Sequence, residues 1–185
     1  MNEMIKSVAA DIVKSGMLGG PGERSMTGGP LPVVKDIVAL AGRLAAEHER
    51  VVTGDNTCCV AVCKPDLVSG WSIEEIVRDI ADRFANNLRP YDAIFLYGRD
   101  KIIVCMPHIK QGDTRLLLGR LRDLATEEPI PMPTGTTTLI SVSVGGVMMD
   151  RFTRVQETID RADKAMDMAR IAGGNRIGVW TPDMF

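Results

Sequence analysis

Two adjoining stretches carry the side chains best suited to chemistry. In YDAIFLYGRDKIIVCMP, residues 91–107, two apolar runs of strand length flank a tight turn holding Gly98, Arg99, Asp100 and Lys101. Just before it, RPYD sets Arg89 and Asp92 three residues apart. A guanidinium offers phosphate a planar fork and an ammonium offers a point charge, so Arg99 and Lys101 can form an anion clamp. The plainer alternative pairs them with Asp100 or a neighbouring carboxylate. Arg-x-x-Asp is common by itself and reads equally as a capped helix end with a surface ion pair.

Other polar candidates are weaker. Cys58, Cys59 and Cys63 lie within one apolar run and Cys105 in another, which suits buried thiols better than a disulfide framework or a metal centre. His48 and His108 have no evident nucleophile or triad partner. The 185 residues carry 22 basic and 24 acidic side chains, with no basic stripe interleaved with aromatics, which argues against nucleic acid as a partner. No run reaches eighteen apolar residues and no charged region precedes an apolar signal core, so the expectation is a cytoplasmic protein without membrane insertion.

The elements that must position these residues follow from periodicity. A short helix is expected over residues 3–16, followed by GMLGGPGERSMTGGPLP, too rich in Gly and Pro for a regular element. Pro32 opens an amphipathic helix running to about His48. TCCVAVC is a strand. Ser72 with Glu75 has capping-box spacing for the next helix. The hairpin, a helix over 113–126, a strand from TTLISVSVGGVMM, a helix from RVQETIDRADKAMDMARIAG and a final strand NRIGVW complete the chain. The expected fold is α/β: a central mixed, mostly antiparallel five-stranded sheet flanked by helices, with the ferredoxin-like order of a nucleotide-cyclase palm. Residues 1–22 form the leading helix and linker, and 23–185 the domain.

In that frame RPYDAIFLYGRDKIIVCMP resembles the central hairpin of the GGDEF, or diguanylate cyclase, family. MTGGPLP at 26–32 resembles the family's entry motif, SVSVGG at 141–146 its S-I-G strand, and RADKAMDMARIAGGNRIGVW at 161–180 its closing helix and strand. The resemblance implies two GTP-loaded protomers and carboxylate-bound divalent ions that activate a 3′-hydroxyl. One metal carboxylate should stand on the first strand and one at the fourth letter of the hairpin motif.

Against that pattern this chain is degenerate. The fourth letter is Lys101, which cannot ligate Mg²⁺. The first-strand position holds Cys63 or Lys64, with Asp66 at a later, less essential Asp. The guanine-reading segment is shortened to LVSGWSIE, leaving Glu74 near its last Asp. Gly98 and Asp100 keep the first and third motif letters, while Arg99 replaces the second Gly. Arg170 stands for a phosphate-binding Lys and Gly174 for an Arg. These changes lead to the expectation that cyclase activity is lost and that neither metal nor cofactor is held.

The same resemblance implies a second site. Arg89 and Asp92 are spaced from the motif as the family's product-binding inhibitory site is, and Arg120 falls at the position of its third residue. Arginines suit phosphate oxygens or guanine O6 and N7, and a carboxylate suits guanine N1–H and N2–H. The resulting expectation is a cyclic di-GMP effector module that acts on a protein partner or as a homodimer. The alternatives are a ligand-independent interaction scaffold and residual GTP binding or cyclase activity.

Overall fold

Strand β2 (Cys58–Pro65) has no polar face until its end: Cys59, Ala61 and Cys63 enter one core, and Cys58, Val60 and Val62 another. Such a strand must lie between two helical layers. The computed structural model, which describes residues 32–54, 56–66, 72–131 and 135–182, has that arrangement. The expected helix over 3–16, the Gly/Pro link, most of the entry motif and residues 67–71 of the shortened segment lie outside the described residues.

In chain order the elements are β1 (Val33–Val34), α1 (Ile37–Thr53), β2, α2 (Ile73–Asn87), β3 (Ala93–Tyr97), β4 (Lys101–Pro107), α3 (Thr114–Thr126), β5 (Ile130–Pro131), β6 (Thr137–Thr138), β7 (Val142–Met148), α4 (Val155–Ile171) and β8 (Ile177–Val179). A six-stranded sheet runs β1-β3-β4-β2-β7-β8, and β5 with β6 forms a separate ribbon. β1 lies parallel to β3 and β8 to β7, while the central pairs are antiparallel. Helices α2 and α3 bury Ile76, Ile80, Phe84, Leu118 and Leu121 on one face. Helices α1 and α4 bury Leu40, Leu44, Ile159 and Met166 on the other. Removing Phe84 from water alone is worth about 2 kcal/mol.

Four expectations need correction. The sheet has six strands, because the β-branched pair Val33–Val34 adds a parallel edge beside Ile94 and Phe95. Helix α1 accordingly begins at Ile37, where the Asp36 carboxylate accepts from the Val38 amide at 2.8 Å, and not at Pro32. Ser72 stands at the N-cap of α2 without capping it; its hydroxyl donates to Glu74 Oε2 at 3.0 Å. The strand expected from Thr137 begins at Val142, and Thr137–Thr138 belongs to the small ribbon.

β7 carries the glycine pair that lets both layers close. A side chain at Gly145 would strike the Met166 amide and the Ala162 carbonyl of α4, whereas one at Gly146 would meet the Leu118 methyls of α3. For function, the main consequence is separation. β3 places five extended residues, about 17 Å, between Asp92 at its start and Gly98 at its end.

Candidate functional site

The hairpin turn closes where Tyr97 pairs with Lys101, and Gly98 takes φ +67°, a left-handed conformation that favours glycine. The β2–β4 register separates the two candidates for the first-strand position. Cys63 pairs with Ile102, and both side chains enter the α2/α3 core. Lys64, one step along, turns to the other, α1/α4 face, and the continuation of this register leads to Lys101 at the start of β4. Lysines thus stand at the fourth motif letter and at one of the two candidates for the first-strand position, where the resemblance implies metal-binding carboxylates.

Each ammonium has a carboxylate of its own. Lys64 Nζ lies 2.7 Å from Asp100 Oδ2. Lys101 Nζ donates to both oxygens of Asp163 in α4, at 2.7 and 2.8 Å. Arg99 donates to Glu74 at 2.7 Å and holds that carboxyl below the usual range. The face is internally neutral, and the clamp imagined for Arg99 and Lys101 is replaced by ion pairs within the fold. This donor set does not fit a divalent ion, since the carboxylates there already face resident cations. Among the described residues no group of three or more His, Cys, Asp or Glu side chains could hold a metal.

Asp66 and the residues of the closing helix serve the fold here. Asp66 accepts from Ser141 Oγ at 2.6 Å, Ser143 Oγ at 2.7 Å and the Asn175 amide at 2.8 Å. Gly174 has φ +70°, and a Cβ there would lie 2.9 Å from Asp66 Oδ2. Glycine is therefore required by this turn. Arg170 is exposed and sits 3.5 Å from Asp167 on its own helix.

At the opposite end of β3, residues 89–92 fold into a tight turn. The Asp92 amide donates to the Arg89 carbonyl and the Arg89 amide to Asp92 Oδ2, both at 2.9 Å. Asp92 is 7% exposed, and its second oxygen, Oδ1, is buried with no hydrogen-bond partner. From α3, Arg120 reaches the Asn87 carbonyl at 3.4 Å, and Arg89, Asp92, Arg120 and Asn87 line one narrow cleft floored by Met106 and Leu121. Burial pushes the Asp92 carboxyl up from its ordinary range; the Arg89 amide and the charges of Arg89, Arg43 and Arg120 oppose it. The three residues singled out from the sequence therefore do come together. A carboxylate oxygen without a donor, under the charges of Arg89, Arg43 and Arg120, can accept from a ligand N–H that opens the cleft, while the arginines meet anionic or acceptor atoms.

Arg43 escaped the sequence reading. Its Nη2 donates to the Tyr91 carbonyl at 2.6 Å and lies 3.1 Å from Glu47 Oε1. On paper Arg43–Glu47 is an ordinary i,i+4 helix pair. The available signal was Glu47 itself, which falls three residues after Leu44 on the apolar stripe and is fully buried.

Comparison with known proteins agrees with this frame. Residues 72–176, more than half of the chain, match the family described as diguanylate cyclase, GGDEF domain. Diguanylate cyclase DosC of Escherichia coli K12 is 27% identical over 107 residues, which are 58% of this chain and 23% of that protein. The chain thus matches about a quarter of that relative's length. Among solved structures, the GGDEF domain of DgcB from Caulobacter crescentus, in complex with c-di-GMP, superposes with a TM-score of 0.69 at 19% identity, covering 88% of this chain and 98% of that one. Diguanylate cyclase SiaD from Pseudomonas aeruginosa, in complex with its activator SiaC, gives a TM-score of 0.65 at 22% identity, covering 76% and 56%. At these identities the two superpositions show a shared fold.

Proposed function

The chain belongs to the diguanylate cyclase GGDEF domain family, and on that premise we propose that it is a cyclase-inactive member that binds cyclic di-GMP at Arg89, Asp92 and Arg120 and relays binding to a protein partner or a second copy. The observation that carries this reading is the buried, unpartnered Oδ1 of Asp92 beside Arg89 and Arg120. Guanine presents N1–H and N2–H side by side, a donor pair that adenine lacks, and the ligand's phosphates suit the guanidinium groups. A buried acceptor without a donor costs about 1–3 kcal/mol, which a ligand donor would recover. That the DgcB domain was solved with c-di-GMP supports the choice of ligand. Loss of turnover is supported by the lysines at positions 64 and 101 and by their pairing with Asp100 and Asp163. No metal or cofactor is needed for this role. Among the described residues no helix is long and apolar enough to cross a membrane, which is compatible with action in the cytoplasm.

Calorimetric titration of the whole chain with cyclic di-GMP tests the reading, alongside Arg89→Ala and Asp92→Asn and an assay of GTP with Mg²⁺. Low-micromolar or tighter binding, lost in both variants, with no cyclic di-GMP formed from GTP, is expected. Absence of binding favours a ligand-independent scaffold, and product formation from GTP restores the enzyme reading.

A further inference from the structure

Asp92 stands just before β3, and the charges of Arg120 on α3 and Arg43 on α1, helices of opposite layers, both bear on it. We propose that Arg43 is a positioning residue of the Asp92 site: by bonding the Tyr91 carbonyl it fixes the 89–92 turn against α1 and presents the free Asp92 oxygen to ligand N–H donors. This inference rests on the ligand reading above and adds a residue that lies outside the Arg-x-x-Asp and Arg120 pattern.

The contacts around the turn form a closed circuit. Arg43 donates to the Tyr91 carbonyl, and the Tyr91 ring meets His108 edge-on at 5.8 Å. The His108 amide donates to Asn56 Oδ1 at 3.1 Å, and Asn56 Nδ2 donates to Glu47 Oε2 at 2.8 Å. Glu47 Oε1 returns the chain to Arg43 at 3.1 Å and is also held by Arg50 at 3.0 Å. A fully buried carboxylate with three partners gives Arg43 a fixed base, so the turn is braced from α1 through one guanidinium.

Two atoms remain unanswered on either side of this brace: Asp92 Oδ1 as acceptor and Arg43 Nε as donor, both buried without a partner. The charged groups that bear on Asp92 are Arg89 of the turn, Arg43 of α1 and Arg120 of α3, with the His108 ring beside Tyr91. Arg43 is the one of these also bonded to the turn's backbone from the opposite layer. Its charge opposes the burial that favours protonation of Asp92, so it keeps the acceptor in the form a donor requires.

The test uses the whole chain as Arg43→Gln, Arg43→Lys and Asn56→Ala. The Asp92 side-chain carboxyl is titrated by ¹³C NMR without ligand, and cyclic di-GMP affinity is measured by calorimetry. Arg43→Gln is expected to raise the Asp92 midpoint by about half a pH unit or more and to weaken binding about tenfold. Arg43→Lys keeps the charge but loses the planar fork, so it should restore the midpoint and recover affinity only in part. Asn56→Ala loosens the Glu47 base without touching Arg43 and should leave the midpoint in place. An unchanged midpoint and affinity in Arg43→Gln would overturn the proposal, as would the same midpoint change in Asn56→Ala. If the unaltered chain does not bind cyclic di-GMP, the ligand reading fails, and the ligand-free titration still decides whether Arg43 governs Asp92.

Discussion

Lys101 in the hairpin donates to both carboxylate oxygens of Asp163 in α4, at 2.7 and 2.8 Å, and so bolts the hairpin turn to the helix across it. Both side chains are half-buried. Lys101→Met strands a carboxylate and is expected to cost about 1–2 kcal/mol in urea unfolding. Pairing it with Asp163→Leu should recover most of that loss, because two apolar groups leave no unpaired charge. Additive losses in the double variant would show that the pair is not coupled.

The binding reading also fixes the direction of a pH effect. Burial raises the Asp92 carboxyl above its ordinary value, and ligand N–H donors need the ionised form. Affinity should therefore be level at neutral pH and decline as pH falls through the raised Asp92 value, by at most about tenfold per unit. Because the folded-state value is raised, ionised Asp92 opposes folding above its ordinary range, and the penalty is absent below it. Asp92→Asn should thus bind no cyclic di-GMP yet melt within about 3 °C of the parent at pH 7. A large loss of Tm would assign Asp92 to the fold instead of to a ligand.

Gly145 and Gly146 are neighbours in β7 with unequal tolerance. Gly145 faces backbone atoms of α4 that cannot retreat singly, whereas Gly146 faces the mobile methyls of Leu118. Gly145→Ala should cost about 3 kcal/mol or more, and Gly146→Ala about 1 kcal/mol. Chemical denaturation of the two variants checks the order, and equal losses would contradict the close α4–β7 approach.

The four cysteines should be chemically silent in the folded chain. All are buried; burial pushes Cys59 up to about 12 and Cys63 higher still, and contact with Cys105 at 3.5 Å together with burial raises Cys58. A disulfide-exchange reagent at pH 8 should label none of them until denaturant is added, and then all four. Rapid labelling of the native protein would show that the β2–β4 core opens.

The hairpin was legible because its signals are local: a glycine at φ +67° between two apolar runs. The helices over Ile73–Asn87, Thr114–Thr126 and Val155–Ile171 were legible from apolar periodicity. Val33–Val34 was not, since a two-residue parallel bridge depends on β3, some sixty residues away. That Cys63 enters the α2/α3 core while Lys64 turns away from it also needed three dimensions, because a one-residue shift turns a strand side chain to the other face. Arg89, Asp92 and Arg120 could be named because the resemblance to the GGDEF family fixes their places relative to the hairpin motif. Arg43 could not, because its contact with the Tyr91 carbonyl spans 48 positions. The same limit applied to Asp163, whose role as the Lys101 partner depends on how α4 crosses the hairpin.

On the proposed function, nucleotide recognition lies at the start of β3 and not at its hairpin end. Backbone amide shifts in ¹⁵N-labelled protein, recorded as cyclic di-GMP is added, locate the binding site. Changes centred on residues 87–92 and 117–121, with Lys64, Arg99, Asp100, Lys101 and Asp163 unmoved, are the predicted result. Changes centred on that second group, with Arg89 and Asp92 silent, would contradict it.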